Sequence, residues 1–128
     1  MKKQLLREIG KYLMAAFYFL GGINHFLQPE FYLPLIPEYL PDKNLLNALA
    51  GIAEVVGAIG LLIPQTRKIA AWGIVAMLVA FIPSHVYFIQ IGSCLEEGLC
   101  VSEWIGWIRL VLIHPLLIWW AYIYTKQN

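Results

Sequence analysis

The stretch LLNALAGIAEVVGAIGLLI, residues 45–63, decides the fold. It is apolar almost throughout and holds one charged residue, Glu54. An apolar run of about 20 residues has the length that an α-helix needs to cross a bilayer. Apart from this stretch, runs of the same kind occupy residues 9–27, 69–91 and 104–124. The sequence therefore predicts an all-α, polytopic membrane protein, a four-transmembrane-helix bundle that takes residues 1–128 as a single domain.

The composition agrees with a membrane protein and excludes other classes. Of the 128 residues 60% are hydrophobic and 13% are charged, and the mean hydropathy is +0.67. Soluble domains carry about 25% charged residues, so an ordinary soluble fold is excluded. The formal net charge is only +1. A chain without a basic face cannot neutralise a row of phosphates, so we expect no nucleic-acid partner.

Residues 29–41 link the first two runs and contain four of the seven prolines. Repeated proline removes backbone donors and cannot sustain a helix. The segment is nevertheless rich in apolar side chains, so we expect a proline-rich loop that lies at the membrane surface and caps the bundle. Asp42 or Asn44 is the expected N-cap of the second span.

The distribution of basic residues predicts the orientation. An even number of spans places both termini on one side of the membrane. That side would carry seven of the nine basic residues: Lys2, Lys3, Arg7, Lys11, Arg67, Lys68 and Lys126. Because positive loops stay in the cytoplasm, both termini are expected to be cytoplasmic.

Glu54 and Arg109 are the ionisable residues placed deepest in the predicted spans, where a charge is costly and is a functional candidate by default. Ala50, Gly57 and Ala58 surround Glu54 on its helix face, so another helix can approach and Glu54 should face protein. Two interpretations stay open for Glu54: a carboxylate that holds a partner helix, or one that handles protons or binds a ligand. For Arg109 we expect either an ion pair with Glu54 or a side chain that reaches the headgroups.

Polar side chains from all four spans converge in the outer half of the predicted bundle. Each histidine alone is more typical of a hydrogen-bonded structural residue than of a ligand-binding one. Together they predict a polar pocket that opens to the outside, with these ligand-binding candidates: Asn24, His25, Glu54, His85 and Arg109.

Prolines interrupt the third and fourth runs. Pro83 lacks the N–H that would bond the carbonyl of Val79 and should kink the third helix. A stripe of small residues on that helix (Gly73, Ala76, Ala80 and Ser84) predicts a surface for helix packing. His114 precedes Pro115, and we expect it to donate to a freed carbonyl or to a neighbouring helix.

Cys94 and Cys100 are the only cysteines and lie in the predicted outer loop. An oxidising compartment and a short loop favour a disulfide between them. The bond can be a structural staple or a redox-active pair. Their spacing fits no zinc motif, and no metal site is expected.

Several motifs resemble the DoxX-like family of small bacterial membrane proteins: GGINHFLQP at 21–29, GIAEVVGAIGLLIP at 51–64, and AWG at 71–73. The resemblance extends over nearly the whole chain and implies a four-helix bundle of the bacterial inner membrane. It also places the chain near the redox-associated MauE proteins and the sterol-handling EXPERA proteins. By position in the motifs, His25 and Glu54 correspond to the characteristic polar pair, and His85 and Arg109 correspond more loosely.

The expected function is binding of a quinone or a similar amphipathic ligand in the outward-facing pocket, in a redox-associated membrane subunit. If the protein is an enzyme, His25 and Glu54 are the catalytic candidates, and they would exchange protons with a quinone. The chain shows no electron carrier of its own, so a partner oxidoreductase would supply the electrons. Two alternatives remain: a non-catalytic anchor or lipid-binding module for such a partner, and an EXPERA-like lipid-modifying enzyme. A homo-oligomer is compatible with each of them.

Overall fold

A computed structural model describes residues 1–126. In this range helices are the only regular elements apart from a β-bridge between Cys94 and Cys100. The α-helices are α1 (Lys2–Leu27), α2 (Pro29–Tyr32), α3 (Lys43–Leu62), α4 (Arg67–Ala80), α5 (Ile82–Gln90), α6 (Glu103–Ile108) and α7 (His114–Tyr124). A 3₁₀ turn at Leu33–Leu35 follows α2, and a π-helical stretch at Arg109–Ile113 joins α6 to α7.

The long helices pack in the order α1, α3, α4, α7. Their shared core includes Met14, Leu61, Ile74 and Ala121, all nearly inaccessible to solvent. The bundle closes between α1 and α7 at the end that carries both termini, where the Tyr124 hydroxyl donates to the Arg7 carbonyl at 2.9 Å. The two termini therefore lie at the same end of the bundle.

Helices α1 and α3 cross at a very short distance, at Gly22 and Gly51. A Cβ atom on Gly22 would lie 2.7 Å from the Gly51 carbonyl oxygen, and one on Gly51 would lie 2.9 Å from the Cβ of His25. Only glycine allows two helix backbones to approach this closely. The crossing places the last turns of α1 directly against the first half of α3, and this sets the position of His25.

Within residues 1–126, three helical stretches are long and apolar enough to cross a membrane: Lys43–Leu62, Arg67–Gln90 and Glu103–Tyr124. Helix α1 has 26 residues but is not one of the three. Its apolar run is interrupted by Lys11, Asn24 and His25, which lower the mean hydropathy of any long window.

The third and fourth predicted spans are not regular α-helices throughout. Helix α4 ends at Ala80 and α5 begins at Ile82. The helix is therefore interrupted at Phe81, two residues before Pro83. In the fourth span the N–H of His114 bonds to the carbonyl of Arg109, five residues back, and this π-type bond precedes Pro115. Each irregularity adjoins a proline, which cannot supply the regular backbone bond.

Residues 28–42, here called the cap segment, lie across the end of the bundle opposite the termini. The prediction of a proline-rich loop needs correction, because the segment forms α2 and the 3₁₀ turn. Pro29 and Pro34 stand at the starts of these elements, where a missing N–H costs nothing. The turn contacts α3 and α5. Asp42 caps α3 as expected, since its carboxylate accepts from the Leu45 N–H at 3.1 Å.

Candidate ligand-binding cavity

A cavity of about 860 Å³ lies between the α1–α3 pair and the α4, α5 and α7 side of the bundle. This volume falls within the range of roughly 300–1,000 Å³ that small-molecule sites occupy. The cap segment covers one end with Phe31, Tyr32, Leu35, Ile36 and Leu40. The lining is mostly apolar, and its polar members fall on two facing walls.

The first wall carries His25 and Glu54. The Nε2 atom of His25 lies 3.0 Å from Glu54 Oε2. The contact has the distance of an ion pair, and it is the polar contact that Oε2 makes within the described part of the chain. Only 9% of Glu54 is exposed, so it faces protein as predicted. The expected pair between Glu54 and Arg109 is not formed, because the α1–α3 crossing brings His25 to Glu54 first.

Asn47 holds His25 through two contacts. Its Nδ2 donates to the His25 carbonyl at 2.9 Å, and its Oδ1 lies 2.6 Å from His25 Nδ1. The first bond fixes the orientation of the amide, so Oδ1 must accept and Nδ1 must carry a proton. Sequence reasoning missed Asn47. Its signal was its spacing, since residues 47, 51 and 54 share the buried face of α3.

The Asn47 contacts determine how many protons the His25–Glu54 pair carries. With Nδ1 protonated, Nε2 either has a second proton or presents a lone pair to the carboxyl group. A lone pair facing a carboxylate at 3.0 Å would be repulsive, so one proton must lie between the two groups. The pair is therefore neutral overall, as imidazolium and carboxylate or as imidazole and carboxylic acid.

Tyr32 of the cap segment was also missed by sequence reasoning. Its ring stacks on the His25 ring with centroids 3.8 Å apart. Its hydroxyl accepts from Asn24 Nδ2 at 2.7 Å. Asn24 thus anchors the cap segment, and it lines a separate shallow pocket on α1 while His25, Glu54, His85 and Arg109 line the cavity.

The second wall carries His85, His114 and Arg109. His114 Nε2 lies 2.5 Å from the Leu78 carbonyl oxygen, so His114 bonds to a neighbouring helix near the α4–α5 break, as predicted. The rings of His85 and His114 have centroids 4.4 Å apart. The Arg109 guanidinium lies over the Phe88 ring, with Cζ 5.0 Å from the centroid.

The small-residue stripe on α4 and α5 lines the cavity instead of seating a helix. Gly73, Ala76, Ala80 and Ser84 all face it. A Cβ atom on Gly73 would meet no heavy atom within 4 Å. The prediction of a packing surface was wrong, because small side chains permit either a close helix contact or an unfilled space. The sequence does not distinguish the two.

Among residues 1–126, two buried polar atoms of the cavity lining have neither a hydrogen-bond nor an ion-pair partner: Tyr18 Oη and Arg109 Nη1. A buried polar atom left unsatisfied costs about 1–3 kcal/mol, and more when the group is charged. Such atoms call for an explanation, and here both border the same cavity. The lining therefore presents two unpartnered donors, a hydroxyl group and a guanidinium N–H.

The disulfide predicted for Cys94 and Cys100 is present in the structure. The bonds Leu95 N–H to Leu99 O and Val101 N–H to Ser93 O make the surrounding loop a small hairpin. Within the described range, neither cysteine lines the cavity. The location favours a structural staple over a redox partner of His25 and Glu54.

The chain is all-helical in its described part, and its mostly apolar cavity is partly open to the outside, since lining residues such as Phe17, Leu49 and Gly73 are exposed. Residues 14–125 match the family model described as a domain of unknown function, DUF8561. The match covers most of the chain, and the protein belongs to this family. No curated protein and no solved structure matches the chain.

Proposed function

We propose that the chain is an integral membrane protein that binds an amphipathic molecule, such as a quinone or a lipid, in the cavity between its helices. One observation supports the proposal most directly. The unpartnered donors of Tyr18 and Arg109 both belong to the lining of one cavity whose remaining surface is mostly apolar. A molecule with a polar head and an apolar body satisfies both kinds of surface.

Four membrane-spanning helices are part of this proposal. The three apolar stretches supply three spans, and α1 supplies the fourth because it runs beside α3 along much of its length. Large apolar side chains such as Leu13, Leu20, Val56 and Trp119 are exposed on the outside of the bundle, where lipid would cover them. The basic residues near both termini support a cytoplasmic location for that end.

The redox form of the proposal uses the proton shared by His25 and Glu54. A quinone carbonyl could accept from the Tyr18 hydroxyl or from Arg109, and reduction to a quinol requires two protons. The His25–Glu54 pair can supply one of them from the wall of the cavity. The electrons would come from a partner oxidoreductase. The resemblance to DoxX-like proteins supports this form.

Substitutions at Gly73 test the binding proposal, because this position faces open space. The protein would be purified in a nonionic detergent, and its co-purifying small molecules would be extracted and identified by mass spectrometry. We expect wild-type protein to retain an amphipathic molecule. Gly73→Phe should displace it by filling the cavity, whereas Gly73→Ala, the matched control, adds a methyl group that meets nothing and should retain it.

The proposal fails if wild-type protein and both Gly73 variants carry the same small molecules in the same amounts. In that case the polar cluster only locks the helices together, and the anchor interpretation replaces the binding one. A melting curve for each variant shows that the helices remain folded, so that loss of a ligand is not loss of structure.

A further inference from the structure

The charges that line the cavity do not balance. In the described part of the chain, Glu54 and Arg109 are the only Asp, Glu, Lys or Arg residues of the lining. They do not form an ion pair with each other. The charge of Glu54 is already matched, because the proton that it shares with His25 makes that pair neutral.

The histidines on the second wall add no negative charge to offset Arg109. His114 uses its Nε2–H to bond the Leu78 carbonyl, and a neutral imidazole suffices for that bond. His85 packs against the His114 ring on the wall that also carries Arg109, and a second positive charge on this wall would be repelled. With both histidines neutral, the lining has a formal charge of +1, located on Arg109.

Arg109 is half-buried, and the described residues provide no counter-charge for it. Arginine keeps its proton even when buried, so it cannot reduce this cost by becoming neutral. The Phe88 ring beneath the guanidinium compensates it in part. Atom Nη1 is buried and bonded to nothing. In or near a membrane a cation in this state marks a functional site, and its missing partner is an anion.

The other part of the cavity suits a hydrocarbon chain. The cap segment and the start of α3 present apolar side chains there: Phe31, Leu35, Ile36, Leu40, Leu46 and Leu49. A free inorganic anion would leave this surface unfilled. A molecule with one negative charge and a long apolar chain would cover it.

We propose that the ligand is an anionic amphiphile of the long-chain carboxylate class, with its head group on Arg109 and its chain under the cap segment. This rests on the proposed binding function and narrows its ligand class. The carboxylate accepts from Nη1 and balances the charge of the cavity. The His25–Glu54 pair, whose charge is already balanced, then faces the chain of the ligand.

Equilibrium binding of radiolabelled palmitate and 1-hexadecanol to the purified protein in nonionic detergent tests the proposal. The two probes share a chain length and differ in charge. We expect wild-type protein to bind palmitate about tenfold more tightly or better, the usual value of a charge-assisted hydrogen bond in a buried site. Arg109→Gln should abolish this preference, Arg109→Lys should keep most of it, and excess acetate should not displace palmitate.

Equal binding of palmitate and hexadecanol by wild-type protein would overturn the proposal. This comparison uses wild-type protein alone, so it does not depend on whether a variant folds. A palmitate preference that survives in Arg109→Gln, or displacement by acetate alone, would also overturn it. If hexadecanol or a neutral quinone binds tightly and Gly73→Phe removes that binding, the cavity is a ligand site but not an anion site. If Gly73→Phe leaves all binding unchanged, both proposals fail.

Discussion

The two polar walls of the cavity are built in opposite ways. On the α1–α3 wall, Asn47, His25 and Glu54 contact one another, and the helices beneath them are regular and cross at two glycines. On the facing wall, Arg109 begins the π-helical stretch, and His85 lies in the first turn of α5, just after the break at Phe81. The first wall supplies its own partners, whereas the second leaves a cation without one. We conclude that the first wall is preorganised and that the second is completed by what it binds.

The largest expected effect comes from the helix crossing of the first wall. Gly22→Val would place a side chain within 2.7 Å of the Gly51 carbonyl oxygen, so the helices must separate. We expect a loss of about 3 kcal/mol in the free energy of unfolding, the upper part of the usual range for overpacking. Denaturant titration in detergent micelles, followed by circular dichroism, measures it.

Gly73→Val on the facing wall is the matched control for that substitution. Its Cβ atom meets open space, so we expect little change or a small gain in stability. If both valine variants lose the same stability, the two walls do not differ in packing and the comparison is wrong.

An intermediate effect is expected at Asn47. Asn47→Leu keeps a similar volume but removes both contacts to His25 and leaves a buried carbonyl and a buried Nδ1 without partners. The expected cost is about 2 kcal/mol. The ¹⁵N chemical shifts of the His25 ring report the tautomer, with a protonated Nδ1 in wild-type protein and a mixture in the variant. An unchanged ring spectrum would mean that Asn47 does not fix the proton.

The smallest expected effect has the opposite sign. Arg109→Met removes a half-buried guanidinium whose Nη1 atom has no partner, but it keeps apolar contact with Phe88. Replacing a buried charge with a hydrophobic side chain is often stabilising, and we expect a gain of about 1 kcal/mol in ligand-free protein. Thermal unfolding after delipidation measures it. Destabilisation by this change would indicate that Arg109 already has a partner in the free protein.

The sequence predicted the first wall better than the second. Glu54 could be located because it is the one charge in an apolar run and has small neighbours, and Asp42 because N-caps follow local rules. The partner of Glu54 could not be found, since His25 and Arg109 were both compatible with it. Only the glycine crossing decides between them. The space beside Gly73 could not be predicted from the sequence either. Whether a small residue borders a cavity depends on how the surrounding helices pack, and the local sequence does not specify this.

The side chain of Asn47 caps the C-terminal end of α1 and also holds a proton on one nitrogen of the His25 ring. The carbonyl that it satisfies is one of the last in α1, which the helix itself leaves without a donor. The same amide sets the tautomer of the imidazole in that residue. Any movement that frays the end of α1 would therefore release the proton from its fixed nitrogen. Helix order and proton position would change together in this protein, and a measurement of either would report on the other.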